Sequence, residues 1–180
     1  MTTLHTEIET VLGSLLLTSR QGALSGLYFT DQPHAPQIGC DWILQDDADI
    51  FMQTEQQLRE YAAGERERFD LGMDLSGTPF QVRVWREINA IPFGHTLSYS
   101  DLAQRMGIPQ SVRAVATATG ANPLCWIVPC HRVVGKKGSL TGYAGGLSRK
   151  RALLDFESAR FSGYDASLAS DACPALAATT

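Results

Sequence analysis

The segment WIVPCHRVVGKKG, residues 126–138, places a cysteine beside a histidine directly after an apolar run. A thiol reacts as the thiolate, so a reactive Cys130 needs a neighbouring base or a positive charge that favours ionisation. His131 is the neighbour in sequence, but successive side chains on an extended segment point to opposite faces. We therefore expect His131 to act on the Cys130 thiol through a bridging water.

A histidine that acts as a base also needs a partner that fixes the orientation of its ring. Glu157 is the best-placed carboxylate in the last predicted helix. Cys130, His131 and Glu157 would then be nucleophile, base and orienting group. The alternative is an inert Cys130, buried as a small hydrophobic residue at the end of a strand, and the spacing alone leaves both open.

Residues 1–77 are expected to form a small domain of sheet and helix. GSLLLTS and ALSGLYF read as two strands of a hairpin joined by RQG. The segment DADIFMQTEQQLREYAAGE predicts a helix that ends near Gly64. Its apolar residues recur on one helical face, at Ile50, Phe51, Leu58 and Tyr61. A connector follows, and we place the domain boundary near residue 77, before Thr78-Pro79.

Residues 78–160 are expected to form a mainly helical second domain. TPFQVRVWREINAI predicts a helix with Thr78 as its cap and Pro79 in its first turn. SYSDLAQRMG and SVRAVATATG predict two short helices joined by a tight turn, a pattern shared by helix-turn-helix motifs and ordinary antiparallel helix pairs. LCWIVPC predicts a short strand ending at Cys130, and LSRKRALLDFE a last helix. Residues 161–180 lack periodicity and are expected to be disordered.

The net charge of -4 conceals a strong asymmetry along the chain. Residues 80–151 carry 10 Lys and Arg against 2 Asp and Glu, whereas residues 1–79 carry 4 against 13. A basic segment of this kind is expected for binding a phosphate backbone, although a basic surface without a partner has the same composition.

The four cysteines show neither C-x-x-C pairs nor metal-ligand spacing. The first residues, MTTLHTEIET, have no apolar core, so we expect no secretory signal. No apolar run approaches the roughly 20 residues that cross a bilayer. We expect a cytoplasmic protein with free thiols, no metal or other cofactor and no membrane partner.

The segment PCHRVVGKKGSLTGYAGG resembles the active-site signature of the O6-alkylguanine-DNA alkyltransferases, which repair DNA by direct reversal. The similarity extends through TPFQVRVWREINAIPFGHTLSYSDLAQRMG, RAVATATGANP and SRKRALLDFE, and covers nearly all of residues 78–157. It implies a two-domain α/β protein of the stand-alone bacterial type with an RNase-H-like N-terminal domain. It also implies a single, irreversible transfer of a methyl or small alkyl group from O6-alkylguanine in double-stranded DNA to Cys130. A monomer in solution is expected, with clustering on DNA left open.

The resemblance gives the matching residues catalytic roles. Cys130 would accept the alkyl group, His131 would take the thiol proton through a water, and Glu157 would hold His131. Tyr99 would donate its hydroxyl hydrogen to a guanine ring nitrogen as O6 becomes the leaving group. Asn122 would brace the helix-turn-helix against the active site, beyond its ordinary role as a turn residue before proline.

The same resemblance places other residues at the DNA and around the base. Arg113 would enter the duplex and fill the gap left by the flipped nucleotide, because the O6 atom lies inside the base stack. Ser111 and Ala114, beside Arg113, and Tyr99 would contact DNA in the minor groove. The base pocket would be lined by Val133, Tyr143, Ala144 and Gly145. In it the Val133 carbonyl would accept from the exocyclic amine and the Ala144 amide would donate to O6. Arg132 is expected to support the fold or the interdomain interface.

Two positions depart from the family pattern, since Ala116 and Thr141 stand where many members carry glycine. Both changes concern how closely the helix approaches DNA and how wide the pocket is. Relatives that bind alkylguanine without repairing it replace the nucleophile, and Cys130 is present here. Two further alternatives are a helix-turn-helix regulator, with Cys130 as packing, and a thiol hydrolase that uses the same three residues.

Overall fold

The computed structural model describes residues 2–33 and 35–160, and these form two compact units. One unit contains the described part of Met1–Ser76 together with Pro123–Ile127. The other contains Gly77–Asn122 and the described part of Val128–Thr180. The mixed α/β class is confirmed, but Pro123–Ile127 belongs with the first unit, whereas the sequence interpretation placed it in the second domain. The division into a scaffold domain of residues 1–77 and an alkyl-acceptor domain of residues 78–160 stays a prediction. The predicted disorder of residues 161–180 lies outside the described residues.

The first unit is built on a four-stranded sheet in the order β3-β2-β1-β4. Its strands are β1 (Leu4–Thr10), β2 (Gly13–Arg20), β3 (Ala23–Phe29) and β4 (Ile43–Leu44). Strand β4 runs parallel to β1, and the other neighbours are antiparallel. The predicted β2–β3 hairpin is confirmed, and its turn residues Gln21 and Gly22 have φ angles of 51° and 76°.

Strand β1 was not predicted, because its sequence LHTEIET lacks a regular apolar pattern. In the structure it pairs with β2 along its whole length, from Leu4 opposite Ser19 to Thr10 opposite Gly13. His5 and Thr6 are buried although both are polar. Pairing with the apolar strand β2, rather than the intrinsic preference of β1, therefore fixes this strand.

Helix α1 (Asp49–Ala63) covers this sheet with the apolar face that the periodicity predicts. Phe51, Leu58 and Tyr61 are at most 2% exposed. The helix ends at Gly64, whose φ of 80° is the left-handed conformation that glycine adopts without strain. The predicted helix and its end are confirmed.

The second unit is mainly helical, and all four of its predicted helices are present. Its elements are α2 (Pro79–Asn89), β5 (Leu97–Ser98), α3 (Tyr99–Arg105), α4 (Val112–Gly120), β6 (Val133–Val134) and α5 (Leu147–Arg160). Strands β5 and β6 form a two-residue parallel pair that the sequence did not suggest. Among the described residues, no helix is long and apolar enough to cross a membrane.

Helix α2 anchors the α3–α4 pair. It begins with a capping box, in which Thr78 accepts from the Gln81 backbone and Gln81 accepts from the Thr78 backbone. The indole of Trp85 is buried and donates to the carbonyl of Ala118 on α4 at 2.7 Å. Helices α3 and α4 pack on each other through a tight connection that contains the 3₁₀ turn Pro109–Ser111.

The predicted strand over LCWIVPC is wrong. The segment makes isolated bridges, such as that of Leu124 to Leu27, and Trp126 adopts a φ of 77° that no strand accommodates. Cys130–Arg132 form a 3₁₀ turn, closed by the Arg132 amide donating to the Pro129 carbonyl at 2.9 Å. The apolar character of the segment reflects burial and not extended structure.

Replacing Thr78 with alanine removes the side-chain acceptor at the start of α2. We expect the free energy of unfolding to fall by about 1 kcal/mol, as for other N-cap residues. Urea unfolding followed by circular dichroism measures the change. Thr78→Ser keeps the hydroxyl and serves as the control, and equal stability of the alanine and serine variants would contradict the assignment.

Candidate active site

The Cys130–Arg132 turn buries two side chains able to do chemistry. Cys130 is 3% exposed and His131 is fully buried. The Cys130 amide donates to the carbonyl of Val128 at 2.7 Å, which holds the residue at the start of the turn. Cys130 and His131 lie on a turn and not on the extended segment expected from the sequence, so the alternation of faces along a strand does not set their relative orientation.

His131 forms a short contact with Glu157 of α5. The Nε2 atom lies 2.7 Å from Oε1 of Glu157, and that carboxylate is 1% exposed. An ionised carboxylate only accepts, so Nε2 carries the hydrogen and Nδ1 of the neutral ring carries the lone pair. Nδ1 is buried and has no hydrogen-bond partner among the residues that the structure describes. The ring is therefore set up as a base at Nδ1.

The environment keeps this pair in the form Glu157⁻ with neutral His131. Burial lowers the pKa of His131 below its ordinary value, Glu157 opposes this, and the charges of Arg132 and Lys150 lower it further. Burial alone would raise the pKa of Glu157, but the hydrogen bond from His131 and the charge and hydrogen bonds of Arg132 overcome it and lower the pKa to about 2.

Arg132 supplies the permanent positive charge beside Glu157. Its Nε lies 3.1 Å and 3.0 Å from the two carboxylate oxygens, and its Nη2 lies 2.9 Å from Oε1. Nη1 donates to the Ile91 carbonyl at 2.6 Å, and the guanidinium lies over the ring of Phe93 at 5.7 Å. The amide of Gly94 adds a donor to Oε2 of Glu157 at 3.0 Å.

Lys150 of α5 is a second buried cation near Cys130. Its Nζ donates to the carbonyls of Val133, Thr141 and Gly142 at 2.6, 2.9 and 3.4 Å. Burial lowers the pKa of Lys150 to about 8, and charge interaction with Cys130 raises it in part. Lys150 therefore ties β6 to the glycine-rich loop and brings a cation near Cys130.

Tyr99, at the start of α3, reaches the same loop. Its hydroxyl donates to the carbonyls of Thr141 and Gly142 at 3.2 and 3.3 Å. Its ring lies 5.9 Å from Nζ of Lys150. Burial and interaction with Cys130 raise the pKa of Tyr99, while a hydrogen bond to Thr141 opposes this, so the hydroxyl keeps its hydrogen at neutral pH.

Asn122 connects the end of α4 to the nucleophile. Its Nδ2 donates to the Val128 carbonyl at 2.9 Å, and the same carbonyl accepts from the Cys130 amide. Asn122 is buried. One carbonyl oxygen thus ties α4 to the backbone of Cys130.

The remaining predicted residues fall into two groups. Arg113 and Ala114 are exposed on the first turn of α4 and Ser111 precedes them, while none of the three has a described contact with Cys130. The others lie near His131 or on the adjoining loop. Tyr143 presents its ring edge-on to His131 at 6.5 Å, Gly145 is buried and accepts from Arg149, and Ala144 is half-buried between them. The Val133 carbonyl is the one that Lys150 binds.

Sequence reasoning missed Lys150 and gave Arg132 no chemical role. A signal for Lys150 is present in the sequence, since Lys150, Leu153, Leu154 and Glu157 follow the spacing of one buried helical face. Two charges within an apolar stripe indicate buried, partnered groups. No comparable pattern marks Arg132, whose partners Ile91 and Phe93 come from a loop distant in sequence.

Replacing Glu157 with glutamine removes the charge that His131 and Arg132 share. The folded-state pKa of Glu157 lies below its ordinary 4.5, so Glu157 stabilises the protein above that pH and the contribution is lost as the pH falls towards about 2. We expect Glu157→Gln to destabilise the protein by about 3–5 kcal/mol at pH 7 and to flatten its acid dependence.

Urea unfolding between pH 3 and pH 7 measures both effects. Glu67→Gln, at an exposed position, controls for the loss of one negative charge. A Glu157→Gln protein as stable as wild type at pH 7 would contradict the buried ion pair.

Comparison with known proteins finds one family along most of the chain. Residues 79–159 match the family model described as 6-O-methylguanine DNA methyltransferase, DNA binding domain. The methylated-DNA–protein-cysteine methyltransferase of Mycobacterium tuberculosis H37Rv is 44% identical over 153 residues, covering 85% of this chain and 91% of the relative. The constitutive enzyme of that name from Bacillus subtilis is 38% identical over 161 residues, with coverage of 83% and 92%.

A solved structure is also similar to this one. The crystal structure of Mycobacterium tuberculosis OGT in complex with DNA superimposes with a TM-score of 0.80 at 43% identity, covering 87% of this chain and 94% of that one. Identity at this level over nearly the whole of each relative shows common descent. The chain therefore belongs to the methylated-DNA–protein-cysteine methyltransferase family.

Proposed function

We propose that this protein repairs DNA by moving a methyl or another small alkyl group from O6 of guanine to the sulfur of Cys130. The observation that carries the proposal is the buried contact of His131 with Glu157, directly beside the only cysteine in the family's signature segment. The names of the relatives and the family model support the same reaction. DNA is the partner that the family model and the solved complex indicate.

The reaction is a displacement at the alkyl carbon. The thiol proton of Cys130 passes through one water to Nδ1 of His131, and Glu157 stabilises the imidazolium that forms. Sulfur then forms its bond to the alkyl carbon as the bond from carbon to O6 breaks. Guanine leaves as an anion and takes up a proton, so the thiol proton is balanced by the one that restores guanine.

The pocket residues assist the leaving group and select the base. Tyr99 keeps its hydroxyl hydrogen and donates it to a ring nitrogen of guanine as negative charge develops. The Ala144 amide donates to O6, and the Val133 carbonyl accepts from the exocyclic amine. Tyr143 and Gly145 form the wall against which the base packs.

The exposed residues of α4 deliver the base to this pocket. Arg113, Ala114 and Ser111 lie at the start of a helix rich in small residues, which suits close approach to the minor groove. Arg113 takes the place of the flipped nucleotide in the duplex, and Asn122 connects this helix to Cys130. One molecule carries every group that the reaction needs, so we propose that it acts as a monomer. The free thiols of Cys40, Cys125 and Cys130 suit a reducing compartment, and we propose that the protein acts in the cytoplasm.

Incubation with a duplex that contains one O6-methylguanine tests the transfer. We expect one methyl group per protein molecule on the peptide that contains Cys130, with no catalytic excess, because a thioether is a poor leaving group. Mass spectrometry of the intact protein and its peptides measures the gain. Cys130→Ala takes up no methyl group, and Cys40→Ala, at an exposed thiol, behaves as wild type.

The other outcomes separate the alternatives. Binding of the duplex without a mass gain indicates an alkylguanine-binding protein, and sequence-specific binding without a preference for the lesion indicates a regulator. Multiple turnovers on an ester or peptide substrate indicate a hydrolase. An equal gain in Cys130→Ala would overturn the proposal.

Arg113→Ala tests base flipping. We expect methyl transfer from duplex DNA to slow by about 10-fold to 100-fold, which corresponds to the few kcal/mol that an unstacked base costs. Transfer from free O6-methylguanine stays as in wild type, because the free base needs no extrusion. Arg113→Lys keeps the charge. Full activity of the lysine variant would show that Arg113 contacts phosphate and does not need to fill the gap in the duplex.

A further inference from the structure

Glu157 has more hydrogen-bond donors than the orientation of His131 requires. Besides Nε2 of His131, its two oxygens accept from Nε and Nη2 of Arg132 and from the Gly94 amide, all within 3.1 Å. These donors occupy the lone pairs of a carboxylate that is 1% exposed. Protonation of this carboxylate would displace one of these donors, so Glu157 is held in its ionised form.

Arg132 is itself held in place from the other side. Its Nη1 donates to the Ile91 carbonyl at 2.6 Å, its guanidinium lies over Phe93, and it is 5% exposed. The guanidinium stays charged in proteins and its donors have a fixed planar geometry. Arg132 is therefore a rigid, permanent counter-charge and not a flexible surface arginine.

The charge on Glu157 decides which ring nitrogen of His131 can act as a base. An ionised carboxylate accepts only, so Nε2 holds the hydrogen and Nδ1 keeps its lone pair. A buried carboxyl without a counter-charge tends to be protonated. Its O–H could then donate to Nε2, which would move the ring hydrogen to Nδ1 and remove the base.

We propose that Arg132 is a positioning residue for alkyl transfer, which keeps Glu157 an acceptor-only carboxylate and thereby fixes His131 with its hydrogen on Nε2 and its lone pair on Nδ1. This inference rests on the proposed function for its consequence, but the hydrogen position on His131 is independent of DNA. Arg132 acts through Glu157 and His131 and does not touch the reacting atoms.

The variants are Arg132→Met, which removes charge and donors, and Arg132→Lys, which keeps the charge. Arg68→Met, at an exposed arginine in the first unit, is the matched control. The first measurement is the ¹⁵N NMR spectrum of the His131 ring at pH 7, without DNA. We expect the wild type, Arg132→Lys and Arg68→Met to show a protonated Nε2 and an unprotonated Nδ1. In Arg132→Met a large fraction should carry the hydrogen on Nδ1.

The second measurement is the single-turnover rate of methyl uptake, normalised to the fraction of protein that reacts. We expect Arg132→Met to slow transfer by about 10-fold to 100-fold, the loss typical of groups that orient a catalytic histidine. Arg132→Lys recovers most of the rate. A purely structural role would lower the reactive fraction and leave the rate of the remaining molecules unchanged.

The third measurement is the pH dependence of Cys130 alkylation by iodoacetamide, which needs no DNA. The charged or titratable groups around His131 are Glu157 and Lys150 from α5, Tyr143 from the loop, and its neighbours Cys130 and Arg132. Arg132 lowers the pKa of His131, so its removal moves the acidic limb of the profile to higher pH. Arg132→Lys leaves the limb near its wild-type position.

Failure of the Arg132 proposal and failure of the proposed function give different results in these measurements. If the wild type takes no methyl group from DNA, the proposed function falls, while the NMR and iodoacetamide results still decide the role of Arg132. A wild-type His131 protonated on Nδ1 overturns the inference, even if Arg132→Met does not fold. So does an Arg132→Met protein with the wild-type ring spectrum and rate.

Discussion

The second unit is organised around one buried carboxylate that two neighbouring residues of the same turn share. Glu157 accepts from His131 at 2.7 Å and from Arg132 at 2.9–3.1 Å. Removing the charge of Glu157 or of Arg132 from water costs several kcal/mol, and only their mutual pairing offsets that cost. The turn that carries Cys130, the loop around Gly94 and helix α5 must therefore meet at this carboxylate. A reactive cysteine can be placed rigidly because the ion pair leaves its turn little freedom to move.

The helices were predictable because their signals are local. Apolar periodicity, the Thr78-Pro79 start of α2 and the Gly64 end of α1 all act within a few residues. Strand β1 and the Cys130 turn were not. Strand β1 has no regular apolar pattern of its own and is fixed by pairing with β2. Burial around Pro129 shapes the Cys130 turn. The apolar run LCWIVPC carries no mark that separates a buried turn from a strand.

Some residues of the candidate site were predictable from the sequence and others were not. The motif around Cys130 and the acidic residue of the last helix are visible in the sequence, and the structure brings His131 and Glu157 into contact. The roles of Arg132 and Lys150 depend on which carbonyls and rings surround them, and those groups come from loops distant in sequence. A single sequence shows that a charge is present but not that it is buried. Spacing within α5 is the exception, because Lys150 and Glu157 lie two turns apart on the buried face.

The contacts of the Tyr99 hydroxyl bear on how a base could enter the pocket. A hydroxyl has one hydrogen, and here the Thr141 and Gly142 carbonyls compete for it. A guanine nitrogen that takes this hydrogen would leave both carbonyls without the tyrosine donor. Nζ of Lys150 already donates to both carbonyls, so they keep a donor when Tyr99 turns away. Because of Lys150, the Tyr99 hydroxyl can turn from the loop carbonyls to a ligand while both carbonyls keep a donor.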